Sequence, residues 1–449
     1  MKNLILRGIN VTVFVFLTMW GLSGITSIRL FSAFDPLSQA LNEFELTDYV
    51  FSKLRPDPVP DPRIVIVNVG PDRAVIAQQI SIISKYKPKV IGIDSYFDCE
   101  GGLYDTLNCP ELLDTLGNLM LSNAIQEAGN VVLVSRLLQS DSLYNSETYN
   151  VYDSIEYSDA IFRDFSGNAY ANLVTDATYQ EDVKVCRAFT PKIDVRGEEK
   201  IAFAVMVAMR YDSLKAMRLL SRGNEEEIIN FRGNISISDV RIRSHRENMQ
   251  GVSEFNSLCY ALDFIPFMRG EYEPEIFKNS IVMMGSLGNH FGDPSWEDKF
   301  FTPLNTKIAG RANPDMFGVV VHANIVSMIL NEDYITETAG WLQVAIAIVV
   351  CFLNVLLFYK IDKTLPYLYD GLSVILQVVE IIIVSSLIVY FFSSFNIKLE
   401  LSLTIGALAL VGPCYDIYKS MESAAVKLKK ARTKNDVAQS EKVEVMEHE

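Results

Sequence analysis

The sequence predicts a mixed α/β domain, with a largely parallel central sheet and flanking helices, carried by four transmembrane α-helices. Three observations predict it. Four apolar runs stand at the two ends of the 449-residue chain, one before and three after a long polar stretch. Each is close to the ~20 residues needed to cross a bilayer's hydrocarbon core. Between them, runs of β-branched residues alternate with helical patterns at the spacing of βαβ units.

The first apolar run extends from Gly8 to Ile28 and is densest over Val11-Thr12-Val13-Phe14-Val15-Phe16-Leu17. Neither a small-x-small cleavage site nor a lipobox cysteine follows it, so residues 1–31 read as an uncleaved anchor rather than a signal peptide. The other runs are Trp341 to Tyr359, Gly371 to Phe392 and Leu399 to Tyr415. They are predicted as transmembrane helices over 340–359, 371–392 and 399–415. Only Glu380 and Glu400 bring charge into them.

Basic residues beside spans stay on the cytoplasmic side. Lys2 and Arg7 precede the first run, and Lys419, Lys427, Lys429, Lys430, Arg432 and Lys434 follow the last. Both termini are therefore expected in the cytoplasm, with the 360–370 loop. The 393–398 loop and the whole 32–339 region are expected outside. Lys427–Lys434 is a candidate for anionic lipid, or more simply a stop-transfer flank. From Asn435 the sequence reads as polar without an apolar stripe, so 416–449 is expected to be a disordered tail.

The net charge is −15, and 32–339 holds 27 basic against 44 acidic residues. That acidic exterior argues against nucleic acid, whose phosphates need Lys and Arg. Cys351 and Cys414 lie in spans. Cys99, Cys109, Cys186 and Cys259 lie in the outer region, where disulfides persist. Cys99 and Cys109 flank Gly101-Gly102, which suggests a local bridge, and Cys186–Cys259 is the remaining candidate pair. No Cys/His spacing suggests a metal, and no cofactor is predicted.

Within the outer region, Arg63 to Val69 reads as a buried strand ended by Gly70-Pro71. Asp72 can cap a helix carrying Val75, Ile76, Ile80 and Ile83 at helical spacing. Val90 to Asp94 is a second strand, and the two make a parallel βαβ unit. Asp114 to Glu127 reads as a helix and Asn130 to Val134 as a third strand. Long loops or short edge strands are expected from Gln139 to Tyr179. Glu198 to Arg222 reads as one helix, Ile228 to Gly233 as a strand and turn, and Ser280 to Gly285 as a buried strand. Asp315 to Leu330 reads as a helix that leads almost directly into the second span.

In this order the segments resemble the CHASE2 family of extracytoplasmic sensory domains. The resemblance rests on Phe44-Glu45-Leu46-Thr47-Asp48-Tyr49-Val50-Phe51, Asp61 to Val67, Val90-Ile91-Gly92-Ile93-Asp94-Ser95-Tyr96-Phe97, Gly129 to Leu133 and Asn230-Phe231-Arg232-Gly233. Its most specific block is Phe277 to Ser286, then Thr302-Pro303, then Gly318 to Asn324. It covers about Glu43 to Leu330, and three following spans are typical of the family. Asn68 and Gly70 stand near positions where the family usually has an acidic pair, and its Trp-Pro segment is absent. Family members commonly carry an output domain after the last span, whereas residues 416–449 hold no kinase or cyclase pattern.

The candidate ligand-binding residues are Asp94, at a strand's carboxyl end where open sheets bind ligands, and Gly285-Ser286-Leu287-Gly288, whose amides could cradle an anion. Asp293 and His322 flank Thr302-Pro303 and could join Asp94 in a polar cluster. Plain structural roles are open for each: a capping Asp, a tight turn, a hydrogen-bonded core His. Glu380, near mid-bilayer, must be neutral, paired or inward-facing, with Asn354 or Gln343 as candidate partners. The resemblance implies a non-enzymatic sensor that relays an extracytoplasmic ligand or partner through its spans to a separate output protein. The alternatives are an outer-face hydrolase using Asp94, Asp293 and His322, and a structural subunit of a bacterial envelope complex. The expected setting is the cytoplasmic membrane, with lipid, an output protein and a second copy as candidate partners.

Overall fold

A computed structural model describes residues 2–26, 46–55, 59–98, 109, 111, 113–140, 151–173, 185–235, 258–293, 295–305 and 313–447. The chain divides into two compact units, Glu43–Ile335 and a second made of Met1–Asn42 with Thr336–Glu449. Helix α1 (Lys2–Thr26) belongs to the second unit. The first unit opens with a short helix, α2 (Leu46–Tyr49), which continues as a π-turn over Val50–Leu54.

Strand β1 (Ile64–Asn68) leads to α3 (Arg73–Ser84), and Asp72 caps that helix by accepting the Val75 N–H at 2.8 Å. Then come β2 (Val90–Asp94), α4 (Thr115–Ala128) and β3 (Val131–Leu138). The Gln139 to Tyr179 stretch contributes β4 (Ser154–Tyr157), α5 (Ala160–Arg163) and β5 (Gly167–Tyr170). Two small pieces follow, β6 (Ala188–Phe189) and a hairpin of β7 (Lys192–Val195) with β8 (Glu198–Ile201).

The predicted single helix over Glu198 to Arg222 is corrected here. Its first turn is β8, and the rest is two helices, α6 (Phe203–Tyr211) and α7 (Ser213–Ser221). Asp212 breaks them: its extended backbone ends α6, and its side chain accepts the Lys215 N–H that starts α7. The strand expected over Ile228 to Gly233 shrinks to β9 (Glu227–Ile228), paired with β6, because side chains satisfy the backbone beyond it. Asn324 accepts from the N–H groups of Arg232 and Gly233.

Strand β10 (Tyr260–Leu262), helix α8 (Phe264–Met268) and strand β11 (Ile281–Gly285) follow. Then β12 (Lys299–Phe300) pairs antiparallel with β13 (Met316–Phe317), which runs straight into α9 (Gly318–Asn331). The sheet order is β10-β1-β11-β2-β3-β4, with β5 also on β3. Every pairing in it is parallel except β3 with β4. Strand alternation divides the core. Val65, Val67, Ile91, Ile93, Val282 and Met284 pack in one cluster with Ile76, Ile80, Leu121 and Ile125 of α3 and α4. The other face is covered by α6 and α9. A Cβ on Gly92 would meet Val207 and Phe203 of α6 at 2.9 and 3.0 Å.

The expected Cys186–Cys259 bridge is not formed; neither thiol is in a disulfide, and both are buried. Each is held by its own surroundings. The Cys186 N–H donates to the Phe301 carbonyl, whereas Cys259 immediately precedes β10 at the sheet edge. Burial, and then the Asp61 carboxylate, push the Cys259 thiol far up, so it stays protonated. Cys109 is disulfide-bonded, and Cys99 lies outside the described residues.

In the second unit, β14 (Thr336–Glu337) precedes α10 (Gly340–Thr364), and α11 (Tyr369–Phe395) is followed by β15 (Ile397–Lys398), which pairs with β14. Leu4–Leu22, Gly340–Thr364 and Tyr369–Phe395 are long and apolar enough to cross a membrane. The fourth apolar run forms the start of a 46-residue helix, α12 (Ser402–Glu447). The tail expected to be disordered is therefore helical. No Gly or Pro follows Pro413, and strong helix formers such as Ala424, Ala425, Lys427, Leu428 and Lys429 carry the helix on. Helices α1, α10, α11 and α12 share one apolar cluster that includes Val11, Val15, Cys351, Val355, Tyr369, Val411 and Cys414.

Candidate functional site: a cleft at the sheet's carboxyl edge

Strands β1 and β11 are neighbours, but their chains leave in opposite directions. After β1 the chain turns to α3 on one face of the sheet, and after β11 it reaches α9 on the other. Such a divergence opens a crevice at the carboxyl ends of the strands. A cleft of about 420 Å³ lies there, with Asn68, Pro71, Phe264, Ser286, Asn289 and Glu297 among its walls. That is within the usual size of small-molecule sites.

Its frame is hydrogen-bonded throughout. Asn68 donates to Asp263 at 2.8 Å and to the Gly288 carbonyl at 3.0 Å, and accepts the Leu287 N–H at 2.9 Å. Asp263 also receives the Phe291 N–H at 3.0 Å. Gln79 reaches up from α3 to bond both Gly70 and Asn68. Gly288 has φ +78°, and a Cβ there would lie 2.5 Å from the Cβ of Asp293, so the turn after β11 needs glycine. The Asp293 carboxylate accepts the N–H groups of Ser295 and Asn289 and the Asn289 amide. Those bonds hold it below the ordinary carboxylate range.

The structure thus divides the residues singled out in the sequence. Ser286 and Asp293 line the cleft. Gly285 is a packing position: a Cβ there would meet the Val319 side chain of α9 at 2.6 Å. Asp94 pairs in register with Gly285 on the next strand and faces Asp298. Burial pushes both carboxyls up to about 7, and at Asp298 the charge of Asp94 adds to it. His322 lies in α9, fully inside, edge-on to Phe203 at 5.3 Å and donating to the Ala171 carbonyl. Burial lowers it to about 4, so it is neutral. No hydrogen bond joins Asp94, Asp293 and His322, so the expected polar cluster does not form. Asn289 and Glu297 also line the cleft and Asp263 braces it through Asn68, and no motif in the sequence marks any of the three. Asn68 and Gly70, which stand near the family's usual acidic pair, are the departures from the family pattern that fall on the cleft wall.

Helix α9 runs from the cleft loop to the unit's last residues. Its first N–H, at Gly318, bonds to the Asp298 carbonyl, and Gly318 to Leu330 are all buried. Its far end is gripped by cations, which suit the negative end of a helix dipole. Arg63 and Lys215 donate to the Leu330 carbonyl, and Arg63 also binds Asp61 and Asn331. Burial works to raise the Asp61 carboxyl, but hydrogen bonds from Arg63 and Ser327 outweigh it and hold it below the ordinary range. Arg218 pairs with Glu332 and Arg232 with Asp333, each at 2.6 Å, and Arg222 donates to the Ile335 carbonyl.

The incoming segment meets the same place. Asp48 of α2 pairs with Arg187 at 2.8 Å, and Phe51 packs edge-on against Phe231. Fully buried Asn230 ties the two together. It accepts from Arg55 on the incoming side and donates to the Asp333 carbonyl on the outgoing side, at 2.6 Å.

In the second unit, Asn354 donates to Glu380, the partner expected for that carboxylate. Gln343 instead donates to Glu400 and to the Thr338 carbonyl.

The sequence model of one protein family, described as the CHASE2 domain, matches residues 21–357. No curated protein and no solved structure matches the chain. CHASE2 domains are extracytoplasmic sensory domains. The chain belongs to the CHASE2 family.

Proposed function

We propose that this CHASE2-family membrane protein binds a small molecule in the β1/β11 cleft and relays its presence along α9 to the membrane helices and a separate output protein. One observation carries the reading: the loop that walls the cleft feeds through β12 and β13 into a buried helix whose other end is clamped a few residues before the chain leaves this unit. At 1.5 Å per residue that helix is a rod about 21 Å long. A shift at Glu297 or Asp298 has a stiff path to Asp333. Asn230 couples the outgoing segment to the incoming one, so both connections to the membrane would feel it.

The role is binding rather than catalysis. His322, the base a hydrolase would need, is neutral, buried and bonded elsewhere. We place the protein in the cytoplasmic membrane, with both termini inside. Arg7 near the start of α1, Asp362 at the end of α10, and Lys419 and Glu422 of α12 are joined by ion pairs, which supports a common level for these ends.

The test fills the cleft. Full-length protein in detergent is warmed with the small-molecule filtrate of its own culture medium. The wild type should unfold at a higher temperature with the filtrate, as any ligand of the native state requires. Ser286→Trp should keep its own unfolding temperature but lose the increment. No increment for the wild type, or an equal one for both, overturns the reading.

A further inference from the structure

We propose that the continuation of α12 beyond Tyr418 is a docking helix for an acidic amphipathic helix of a partner protein. The proposal rests on the cytoplasmic placement of this segment, and not on the cleft.

The helix does not stop where its packing stops. Tyr415 is fully buried in the bundle, yet every residue from 420 to 429 is exposed. Ile417, Met421 and Leu428 are 51, 58 and 71% exposed. An isolated helix of this length is marginal in water, and most helices are stabilised by burying an apolar face. These residues define one. Ile417, Met421, Ala424 and Leu428 follow a 4-3-4 spacing, and the sequence repeats it through Ala431, Asn435 and Ala438 along the same helix. That is the heptad spacing of a two-helix contact.

Charge selects the occupant. From Ile417 to Lys434 there are six basic residues and one acid, Glu422, which is already paired with Arg7. With Met421, Leu428 and Asn435 as a positions, Lys427 and Lys434 fall at g and Arg432 at e. A parallel second copy would set Lys427 against Arg432, like charge on like charge. A helix with Glu or Asp at its own e and g positions gains at each of these places. A bilayer surface fits less well, because a helix continuous with a packed spanning segment leaves the membrane instead of lying in its plane.

The experiment uses full-length protein in nanodiscs of phosphatidylcholine and two labelled helical peptides. Both carry Leu at a and d; one has Glu at e and g, the other Lys. The acidic peptide should bind and the basic one should not. Met421→Glu with Leu428→Glu should weaken binding by roughly tenfold or more, about 1.4 kcal/mol. Ser286→Trp should leave it unchanged, which separates failure here from failure of the sensory reading. Equal binding of both peptides, or of wild type and double variant, overturns the proposal. So does a seam already occupied by a second copy, seen as a dimer that the double variant dissociates. Binding of α12 to discs containing phosphatidylglycerol in place of the acidic peptide would assign the segment to lipid and also overturn it.

Discussion

Asp94 and Asp298 form a carboxyl pair whose protonation the fold controls. In the unfolded chain Asp94 has the ordinary value of 3.8, and in the folded protein it rises to about 7. Between those values the folded state holds protons that the unfolded state has released. The stability this contributes is present below the unfolded value and is lost as pH rises through about 7. Asp94→Asn cannot ionise and escapes that loss. Its unfolding temperature relative to wild type should therefore increase from about pH 4 to about pH 7, the window set by the shift. A difference that stays constant across the range would mean that Asp94 is not the titrating group. The same residues explain why the site was only half legible in the sequence. Ser286 and Asp293 followed a strand that could be recognised, and both reached the cleft. Asp94 and His322 were chosen on the same grounds, but strand order decides adjacency. β2 lies on the far side of β11 from β1, and His322 points from α9 toward Phe203. Neither fact is written in local spacing.

At the scale of the element, α12 shows how a helix break is repaired inside a membrane. Pro413 has no N–H, so the Ala409 carbonyl one turn earlier loses its donor. Gln377 of α11 donates to that carbonyl at 3.1 Å and to Leu408 at 2.9 Å. Gly412 makes room, since a Cβ there would lie 2.8 Å from the Gln377 amide. Gln377→Leu should cost about 1 kcal/mol, the scale of one interhelical hydrogen bond in a membrane. Pro413→Ala returns an N–H to the helix, so it should recover that loss in the Gln377→Leu background and change little alone. Thermal unfolding of the four proteins in one detergent measures the coupling; strictly additive effects would show that Gln377 does not serve the freed carbonyl. The elements themselves were read unevenly, for a physical reason. β1, β2 and β11 are buried on both faces and appear as unbroken apolar runs. Asp212 is one polar residue in a helical pattern, and whether it breaks the helix depends on its backbone angles. The α12 continuation looked polar because its apolar residues are spaced along a seam, which is evident only once the helix is known to continue.

At the scale of the molecule, the sidedness of both termini is the feature on which relay and docking depend. The ion pairs Arg7–Glu422 and Lys419–Asp362 join α1, α10 and α12, and the Arg7 guanidinium sits 5.1 Å from the Tyr359 ring centre. Charges gathered with tyrosines suit a membrane–water interface, and the excess of Lys and Arg beyond Tyr418 is the reason we propose the cytoplasmic side for it. On the proposed topology, four crossings would put Ser295, beside the cleft, on the opposite side. Single cysteines can report this. Among the described residues Cys186, Cys259, Cys351 and Cys414 are buried and Cys109 is disulfide-bonded, so an added surface thiol should dominate labelling. Ser295→Cys should react with a membrane-impermeant maleimide in spheroplasts, whereas Lys2→Cys and Ser440→Cys should react only after the membrane is opened. Labelling of either terminal cysteine from outside would invert the topology, and with it the direction in which α9 could pass a signal.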